Sequence, residues 1–255
     1  MTANFTLLRW INVVLFVLMV LVNGLAGSTT LLGGKNTARI SDNNPTLITP
    51  AGYVFSIWGV IYLLLGIFVV FQALQSGKAK DYQKRIDSLF ALSSLLNITW
   101  LFLWQYEFLS LSVVLMFLLL LTLIAIYLRL GIGKSQVSLR EKLAVHTPFS
   151  VYLGWITIAS IANVAVTLVS ANWNGLGIAP ETWVGLIIVV ALLIALLVLG
   201  TRKDLAYGLV IIWALIGIAV NQYGHPNLVI TAEIGAILVA IAEGATLLRI
   251  RLKPN

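Results

Sequence analysis

The chain of 255 residues contains no cysteine, only two histidines, and charged side chains at just 10% of its positions. The lack of cysteine excludes disulfide bonds, thiolate catalysis and thiolate metal sites. The two histidines, His146 and His225, have no partners at metal-ligand spacing, so we expect no metal site built from protein ligands. Soluble domains carry about 25% charged residues, so the composition also excludes an ordinary soluble protein.

Apolar residues are abundant instead, at 60% of the chain, and the mean hydropathy is +1.01. Crossing a bilayer as a helix takes about 20 predominantly apolar residues. Windows of this kind predict an all-α polytopic membrane protein with eight transmembrane helices and the lipid bilayer as its first partner. The first window is interpreted as a membrane helix rather than a cleaved signal peptide. The eight windows are residues 8–28, 52–75, 87–106, 109–130, 147–170, 183–200, 205–222 and 227–248.

Basic residues fall almost entirely on one side of this predicted topology. With both termini in the cytoplasm, 14 of the 16 lysines and arginines lie in cytoplasmic segments, and only Lys35 and Arg39 lie outside. This bias is the one that sets helix orientation in membranes, so it supports eight spans. Topology also explains the net charge of +7, and no nucleic-acid partner is expected. The expected location is a bacterial inner membrane or a thylakoid membrane.

Aromatic and amide residues recur at helical spacing in three of the predicted helices, where steps of three and four keep them on one face. An unsatisfied amide in hydrocarbon costs several kcal/mol, so we expect the three faces to meet in a shared interior. Aromatic walls with few polar groups are typical of a site for a flat, mostly apolar ligand. The alternative is an interfacial aromatic belt with amides that only bond neighbouring helices. The faces carry Phe55, Trp58 and Tyr62; Asn97, Trp100 and Trp104; and Tyr152, Trp155, Ala159 and Asn163.

The longest polar segment, residues 29–50, joins the first two predicted helices and is rich in Gly, Asn, Ser and Asp. Such residues form regular structure poorly, and long loops often act as lids or binding loops. Because this loop leads directly into the first aromatic face, we interpret it as a lid over a pocket. The alternative is a solvated connector.

Three motifs on these faces resemble the TspO/MBR family, the tryptophan-rich sensory proteins related to the mitochondrial translocator protein or peripheral benzodiazepine receptor. The segment PAGYVFSIWGVIY, from Pro50 to Tyr62, is similar to the second helix of that family. Leu96-Asn97-Ile-Thr-Trp100 is similar to its helix 3, and Tyr-x-x-Trp-x-x-x-Ala-x-x-x-Asn, from Tyr152 to Asn163, to its helix 5. These motifs cover roughly residues 5 to 170.

The resemblance implies a five-helix bundle with a pocket between helices 2, 3 and 5, closed by the 29–50 loop. It also implies binding of porphyrins such as protoporphyrin IX, or of sterol-like and benzodiazepine-type ligands, with no cofactor required. The chain departs from the family pattern at Tyr53, where the family has Trp, and it lacks the Pro between Phe55 and Trp58. Tyr53 joins the expected ligand-binding set, whose other members are Phe55, Trp58, Tyr62, Asn97, Trp100, Trp104, Tyr152, Trp155, Ala159 and Asn163.

Residues 171–255 add a three-helix extension to the expected bundle of residues 1–170. Its last helix contains two carboxylates, Glu233 and Glu243, each about two turns from a helix end. Ionisable groups at such depth are functional candidates, so both are predicted proton or ion sites. The alternatives are an ion pair of Glu243 with Arg202 or Lys203, and satisfaction of Glu233 by Asn221 or Gln222.

The leading functional prediction is a membrane binding or sensory protein that captures a flat hydrophobic ligand such as a tetrapyrrole. A proton-coupled transporter that uses Glu233 is one alternative, and a structural or pigment-holding subunit of a larger complex is another. A homodimer is a further alternative for the assembly of the protein. An enzyme is not expected, because no thiol, histidine cluster or nucleotide loop is present. The resemblance alone adds porphyrin degradation as a remote option.

Overall fold

The computed structural model describes residues 2–75, 80–86 and 88–252, with side chains from residue 7 onward. Eight long helices, numbered here α1 to α8, coincide with the eight windows predicted from hydropathy. They are α1 (Thr2–Ser28), α2 (Ile57–Ala73), α3 (Leu89–Gln105), α4 (Leu109–Leu130), α5 (Thr147–Ser170), α6 (Pro180–Arg202), α7 (Leu205–Asn221) and α8 (Pro226–Arg251).

Six helical segments of the described chain are long and apolar enough to cross a membrane. Helices α3 and α7 are apolar but have only 17 residues each. At 1.5 Å per residue, such a helix is about 25 Å long, slightly short of the roughly 30 Å hydrocarbon core. The six spanning segments are Leu7–Ser28, Gly52–Ala73, Leu109–Leu130, Leu139–Ser170, Pro180–Arg202 and Pro226–Arg251.

Helices α1 to α5 close into a ring, in which each neighbouring pair is in contact. Around it, α1 packs against α2 and α3, α3 against α4, α4 against α5, and α5 against α2. The core of this ring is formed by large apolar side chains such as Phe68, Phe90 and Phe149, whose rings contact one another edge to face. The segment 29–50 lies at one end of the ring, which we call the loop end, and the opposite end is the far end.

The last three helices attach to the ring through α7. This helix packs against α5, and α6 and α8 pack against α7 and against each other. Small residues allow the close approach, since Gly154 of α5 faces Val210 and Tyr207 of α7. The division of the chain into a bundle of residues 1–170 and an extension of residues 171–255 stays a prediction, but the two parts share this helix interface.

Short helical elements complete the ends. A 3₁₀ turn, Gly52–Ser56, leads into α2, so the predicted second helix is α-helical only from Ile57 onward. A helix at Thr37–Asn43 lies within the 29–50 loop, and its N-cap Asn36 accepts a hydrogen bond from the Arg39 amide at 2.9 Å. At the far end, Asp81–Ile86 forms a short helix, and residues 139–146 lead into α5 through a π-helical turn. Two of the basic residues counted for topology, Lys78 and Lys253, lie outside the described residues.

A buried carboxylate holds the far ends of α4, α5 and α7 together. Asp204 is only 7% exposed and caps α7, accepting from the Tyr207 amide at 3.3 Å. Its other oxygen accepts from the hydroxyl of Tyr127 at 2.9 Å and from that of Ser150 at 2.7 Å. We call this group the Asp204 junction. Each Asp204 oxygen has a partner, as a buried charge requires.

Candidate functional site: a tryptophan cage at the loop end

Trp58 of α2 is the centre of an aromatic cluster near the loop end. Its indole stacks on Trp100 of α3, with ring centroids 6.2 Å apart, and meets Trp155 of α5 edge to face at 6.1 Å. Trp104 continues the stack beyond Trp100, at 5.9 Å, and Phe55 meets Trp155 at 5.9 Å. The three faces predicted from spacing therefore meet in one interior, and we call these five residues the tryptophan cage.

The cage encloses a cavity of about 50 Å³. Ligand pockets usually measure about 300–1,000 Å³, whereas this volume holds roughly three or four water molecules. A tetrapyrrole does not fit in this closed geometry. Besides the five cage residues, the cavity is lined by Ile158, Ala159, Ala162, Asn163 and Val166 of α5 and by Thr37, Ser41, Thr49 and Pro50 of the loop.

The interior amides are engaged in contacts between helices. Asn163 accepts from the Trp100 indole at 2.8 Å and donates to the Ser112 hydroxyl of α4 at 2.9 Å. Asn97 donates to the Tyr152 hydroxyl at 3.1 Å and accepts from Asn23 of α1 at 2.8 Å. Both asparagines are 2% exposed or less. Their geometry is that of interhelical links, which the sequence left open as the alternative to ligand contact.

Two other buried donors, unlike the two asparagines, are unpaired. The indole Nε1 of Trp155 and the hydroxyl of Tyr62 have no hydrogen-bond partner. Trp155 is 2% exposed and lines the cavity, and Tyr62 stacks on Trp58 at 5.6 Å. A buried donor without a hydrogen-bond partner costs about 1–3 kcal/mol, so each such donor in a native structure needs an explanation. The cage thus contains an unpaired indole N–H in a residue that lines the cavity.

The 29–50 loop covers the cage and is fastened on two sides. On the α3 side, Gln105 Nε2 donates to the carbonyls of Leu32 and Lys35 at 3.2 and 3.0 Å. The Trp104 indole donates to the carbonyl of Thr37 at 3.2 Å. The side chain of Lys35 also forms an ion pair with Glu107.

On the α7 side, Asn221 donates to the Thr49 carbonyl at 3.0 Å and Gln222 to the Thr46 carbonyl at 3.4 Å. The Ala51 amide donates to the Gly217 carbonyl at 3.0 Å. A side chain at Gly217 would overlap Val54, so glycine permits this close approach. The extension therefore holds one edge of the lid.

The predicted ligand-binding set separates into wall residues and residues behind the wall. Phe55, Trp58, Trp100, Trp104, Trp155, Ala159 and Asn163 line the cavity. Tyr62, Asn97 and Tyr152 support Trp58 or one another from behind. Tyr53 lies apart: it is 46% exposed and packs against Trp213 of α7 at 5.3 Å. Because Tyr53 sits in the 3₁₀ turn rather than on the α2 face, it points away from the cage.

Of the two carboxylates of α8, Glu243 faces the bundle as expected and Glu233 does not. Glu233 is exposed on the outer surface of α8 and does not face the bundle. Asn221 and Gln222, its predicted partners, bond the loop instead. Glu243 is half-buried, and its Oε1 lies against Gly208 of α7.

No ion pair of Glu243 with Arg202 or Lys203 occurs within the described residues, so that alternative was wrong. Arg202 instead places its guanidinium over the Tyr127 ring, 5.7 Å from the centroid. Glu243 Oε1 is buried without a hydrogen-bond partner. In the part of the chain that the structure describes, no three His, Asp or Glu side chains come together as a metal site.

Sequence reasoning missed Asn23, Gln105 and Ser112, and it assigned Asn221 and Gln222 to Glu233 rather than to the loop. All are polar groups inside or at the ends of apolar helices. Such isolated polar residues are costly in a membrane and therefore informative. They lack the repeated aromatic neighbours that drew attention to the three faces.

A family model described as TSPO-like protein matches residues 9–245 of the chain. The chain belongs to the TSPO-like protein family. The match runs through α6, α7 and most of α8, beyond the residues 5 to 170 that carry the recognised motifs. Membership indicates an integral membrane protein with a ligand-binding or sensory role rather than a classical enzyme. No curated protein and no solved structure matches the chain.

Proposed function

We propose that this TSPO-like protein captures a flat, mostly apolar ligand in the tryptophan cage, beneath the 29–50 loop. The observation that carries the proposal is that Trp155, a residue of the cavity wall, has a buried indole N–H without a hydrogen-bond partner. A ligand with an acceptor atom satisfies this donor and recovers the cost of its burial. Stacked indoles on two sides suit a planar ring system.

Binding of a ligand as large as a tetrapyrrole requires the lid to move, because the closed cavity measures only about 50 Å³. The lid is held by side chains that donate to loop carbonyls and by the buried loop residues Ile40 and Ile48. A typical hydrogen bond contributes about 0.5–1.5 kcal/mol net, so opening the lid costs these bonds and the burial of two isoleucines, which ligand contacts must offset. We therefore interpret the structure as the closed geometry of the site.

Tryptophan fluorescence tests the proposal. Protein in lipid nanodiscs is titrated with protoporphyrin IX and, separately, with a benzodiazepine-type ligand, and quenching is followed. We expect saturable quenching by at least one probe, which disappears when Trp58→Ala and Trp155→Ala are combined. The matched control is Trp10→Phe, since Trp10 is 62% exposed on the outer face of α1. Equal quenching in the double variant and the wild type would contradict the assignment.

We also propose that all eight helices span the membrane, with both termini on the cytoplasmic side. The distribution of basic residues supports this, as does the position of the two 17-residue helices, α3 and α7, inside the assembly. Helix α3 lies between α1 and α4, and α7 is flanked by α5, α6 and α8. Their ends are thus covered by protein rather than lipid.

The absence of cysteine makes the topology directly measurable, because a single introduced cysteine is the only thiol. Ser138→Cys places it at the far end and Asn174→Cys at the loop end, both at exposed positions. A membrane-impermeant maleimide applied to intact cells should label Asn174→Cys and spare Ser138→Cys. The reverse pattern would invert the topology.

A further inference from the structure

A second, larger space lies outside the cage, between α5 and α6. This groove has a volume of about 890 Å³ and extends along both helices from the loop end. Phe117 and Leu120 of α4 contribute to its wall, and loop residues Pro45 to Ile48 contribute at its end. The groove exists because α6 packs mainly against α7 and α8, while α5 packs against α4 and α7.

The hydroxyl groups on the α5 wall of the groove are already hydrogen-bonded within their own helix. Thr157 and Ser160 of α5 turn their hydroxyls back to the carbonyls of Leu153 and Ile156, at 2.9 and 2.7 Å. Most of the remaining lining is aliphatic, including Ile161, Ala165, Val190 and Ile194, all of which the structure places along the groove. Most of the groove is thus suited to a hydrocarbon chain.

Charge is confined to the loop end of the groove. Among the described residues that line the groove, Glu181, the second residue of α6, is the only charged side chain, and none is a lysine or arginine. Its carboxylate lies 3.5 Å from Nδ1 of His225 at the edge of the site. Asn174 and the two indoles of Trp173 and Trp183 surround the same end. A negative group at the entrance disfavours an anionic head and attracts a cationic one.

The dimensions agree with a membrane amphiphile rather than a compact ligand. From Glu181 to Ile194 the groove follows α6 for a length of about 20 Å at 1.5 Å per residue. That distance is about two-thirds of a roughly 30 Å hydrocarbon core. The volume of about 890 Å³ is in the range of ligand sites.

We propose that this groove binds an amphiphile from the surrounding bilayer, with its hydrocarbon tail between α5 and α6 and an amino head at Glu181. The amino group donates to the Glu181 carboxylate, and the tail covers the aliphatic walls of both helices. The site is distinct from the tryptophan cage and does not depend on a ligand there. It gives α6, which lies outside the ring of α1 to α5, a binding role.

Three brominated probes with one tail and different heads test the proposal. Oleylamine, oleyl alcohol and oleic acid are each brominated across the double bond and added to the protein in nanodiscs at mildly alkaline pH. Bromine quenches nearby indoles, and Trp173 and Trp183 line the groove. The difference between the wild type and Trp183→Phe isolates the signal of the groove. We expect saturable quenching by the amine at a concentration at least tenfold lower than for the acid.

Variants on both walls separate binding in the groove from general partitioning. Ala165→Phe fills the space from α5, and Val190→Phe fills it from the exposed side of α6, where misfolding is a smaller risk. Both should abolish saturable quenching, whereas the matched control Ala240→Phe, on the outer face of α8, should not. Glu181→Gln should remove the preference for the amine over the alcohol. Quenching that is linear in probe, equal for the three heads or insensitive to the groove variants would overturn the proposal.

Discussion

The tryptophan cage and the Asp204 junction are both buried between helices, but they differ in whether their polar atoms have hydrogen-bond partners. In the junction, both oxygens of Asp204 are paired, and the three donors come from three different helices. In the cage, the Trp155 indole and the nearby Tyr62 hydroxyl have no partner. Satisfied polar networks stabilise and specify a fold, whereas unsatisfied groups lower stability unless a ligand completes them. In our proposal, the Asp204 junction stabilises the fold and the tryptophan cage binds the ligand.

The largest loss of stability should follow Asp204→Ala. The change leaves the Tyr127 and Ser150 hydroxyls unpaired in a buried site and removes the N-cap of α7. Hydrogen bonds to charged groups contribute about 1.5–3 kcal/mol and N-caps about 1, so we expect a loss of roughly 3–5 kcal/mol. Thermal unfolding in detergent measures it. Asp42→Ala, an exposed change in the loop helix, is the matched control and should be nearly neutral.

A smaller loss should follow Asn163→Leu, which preserves much of the volume but removes the partner of both Trp100 and Ser112. An unpaired buried donor costs about 1–3 kcal/mol, although interhelical bonds in membranes average nearer 0.6, so we expect about 1–2 kcal/mol. The same unfolding assay applies, with exposed Asn227→Leu as control. An unchanged unfolding temperature would indicate that Asn163 serves a ligand and not the helix contact.

Gln105→Ala should loosen the lid without unfolding the bundle. The variant loses two hydrogen bonds to loop carbonyls, those of Leu32 and Lys35. At about 0.5–1 kcal/mol each, the combined effect of about 1–2 kcal/mol corresponds to a roughly five- to thirtyfold rise in lid opening. Hydrogen exchange of residues 29–50 reports it. Uniformly faster exchange in the core helices α2 and α5 would show global destabilisation instead.

Trp155→Phe should have the smallest effect on stability and the most selective effect on binding. Phenylalanine retains an aromatic ring and removes a donor that has no partner. Losing that unpaired donor offsets part of the cost of the smaller buried ring, so the unfolding free energy should fall by no more than about 1 kcal/mol. Ligand affinity should fall by about tenfold, equivalent to 1.4 kcal/mol. Trp100→Phe is the matched comparison, because its indole bonds Asn163 and its loss should reduce stability. If the two variants behave alike, the distinction between paired and unpaired indoles fails.

The positions of the helices could be predicted from sequence because hydropathy and length decide them. The windows 109–130 and 147–170 coincide with α4 and α5. The convergence of Trp58, Trp100 and Trp155 could be predicted too, since helical spacing fixes which side chains share a face. The pairing of Asn163 with Ser112 could not, because spacing within a helix carries no information on which neighbour it contacts.

The wrong or incomplete predictions concern features that depend on how helices begin and how they pack against one another, which spacing within a helix does not specify. The depth of Glu233 and Glu243 along α8 could be predicted from their sequence positions. The side of the helix to which each points depends on how α8 packs against α6 and α7. Tyr53 fell outside the wall because the chain forms a 3₁₀ turn at Gly52–Ser56. The groove between α5 and α6 has no sequence pattern, because it arises from a helix contact that is mostly missing.

The attachment of the lid to α7 sets an order of events during synthesis. The Thr49 carbonyl is bonded by Asn221, which follows 172 residues later in the chain. At about 5–20 residues per second, that separation corresponds to on the order of ten to thirty seconds of translation. Until α7 enters the membrane, the loop lacks the partners on one of its edges, although the helices of the cage are already made. The nascent protein therefore passes through a period in which its aromatic interior is only partly covered.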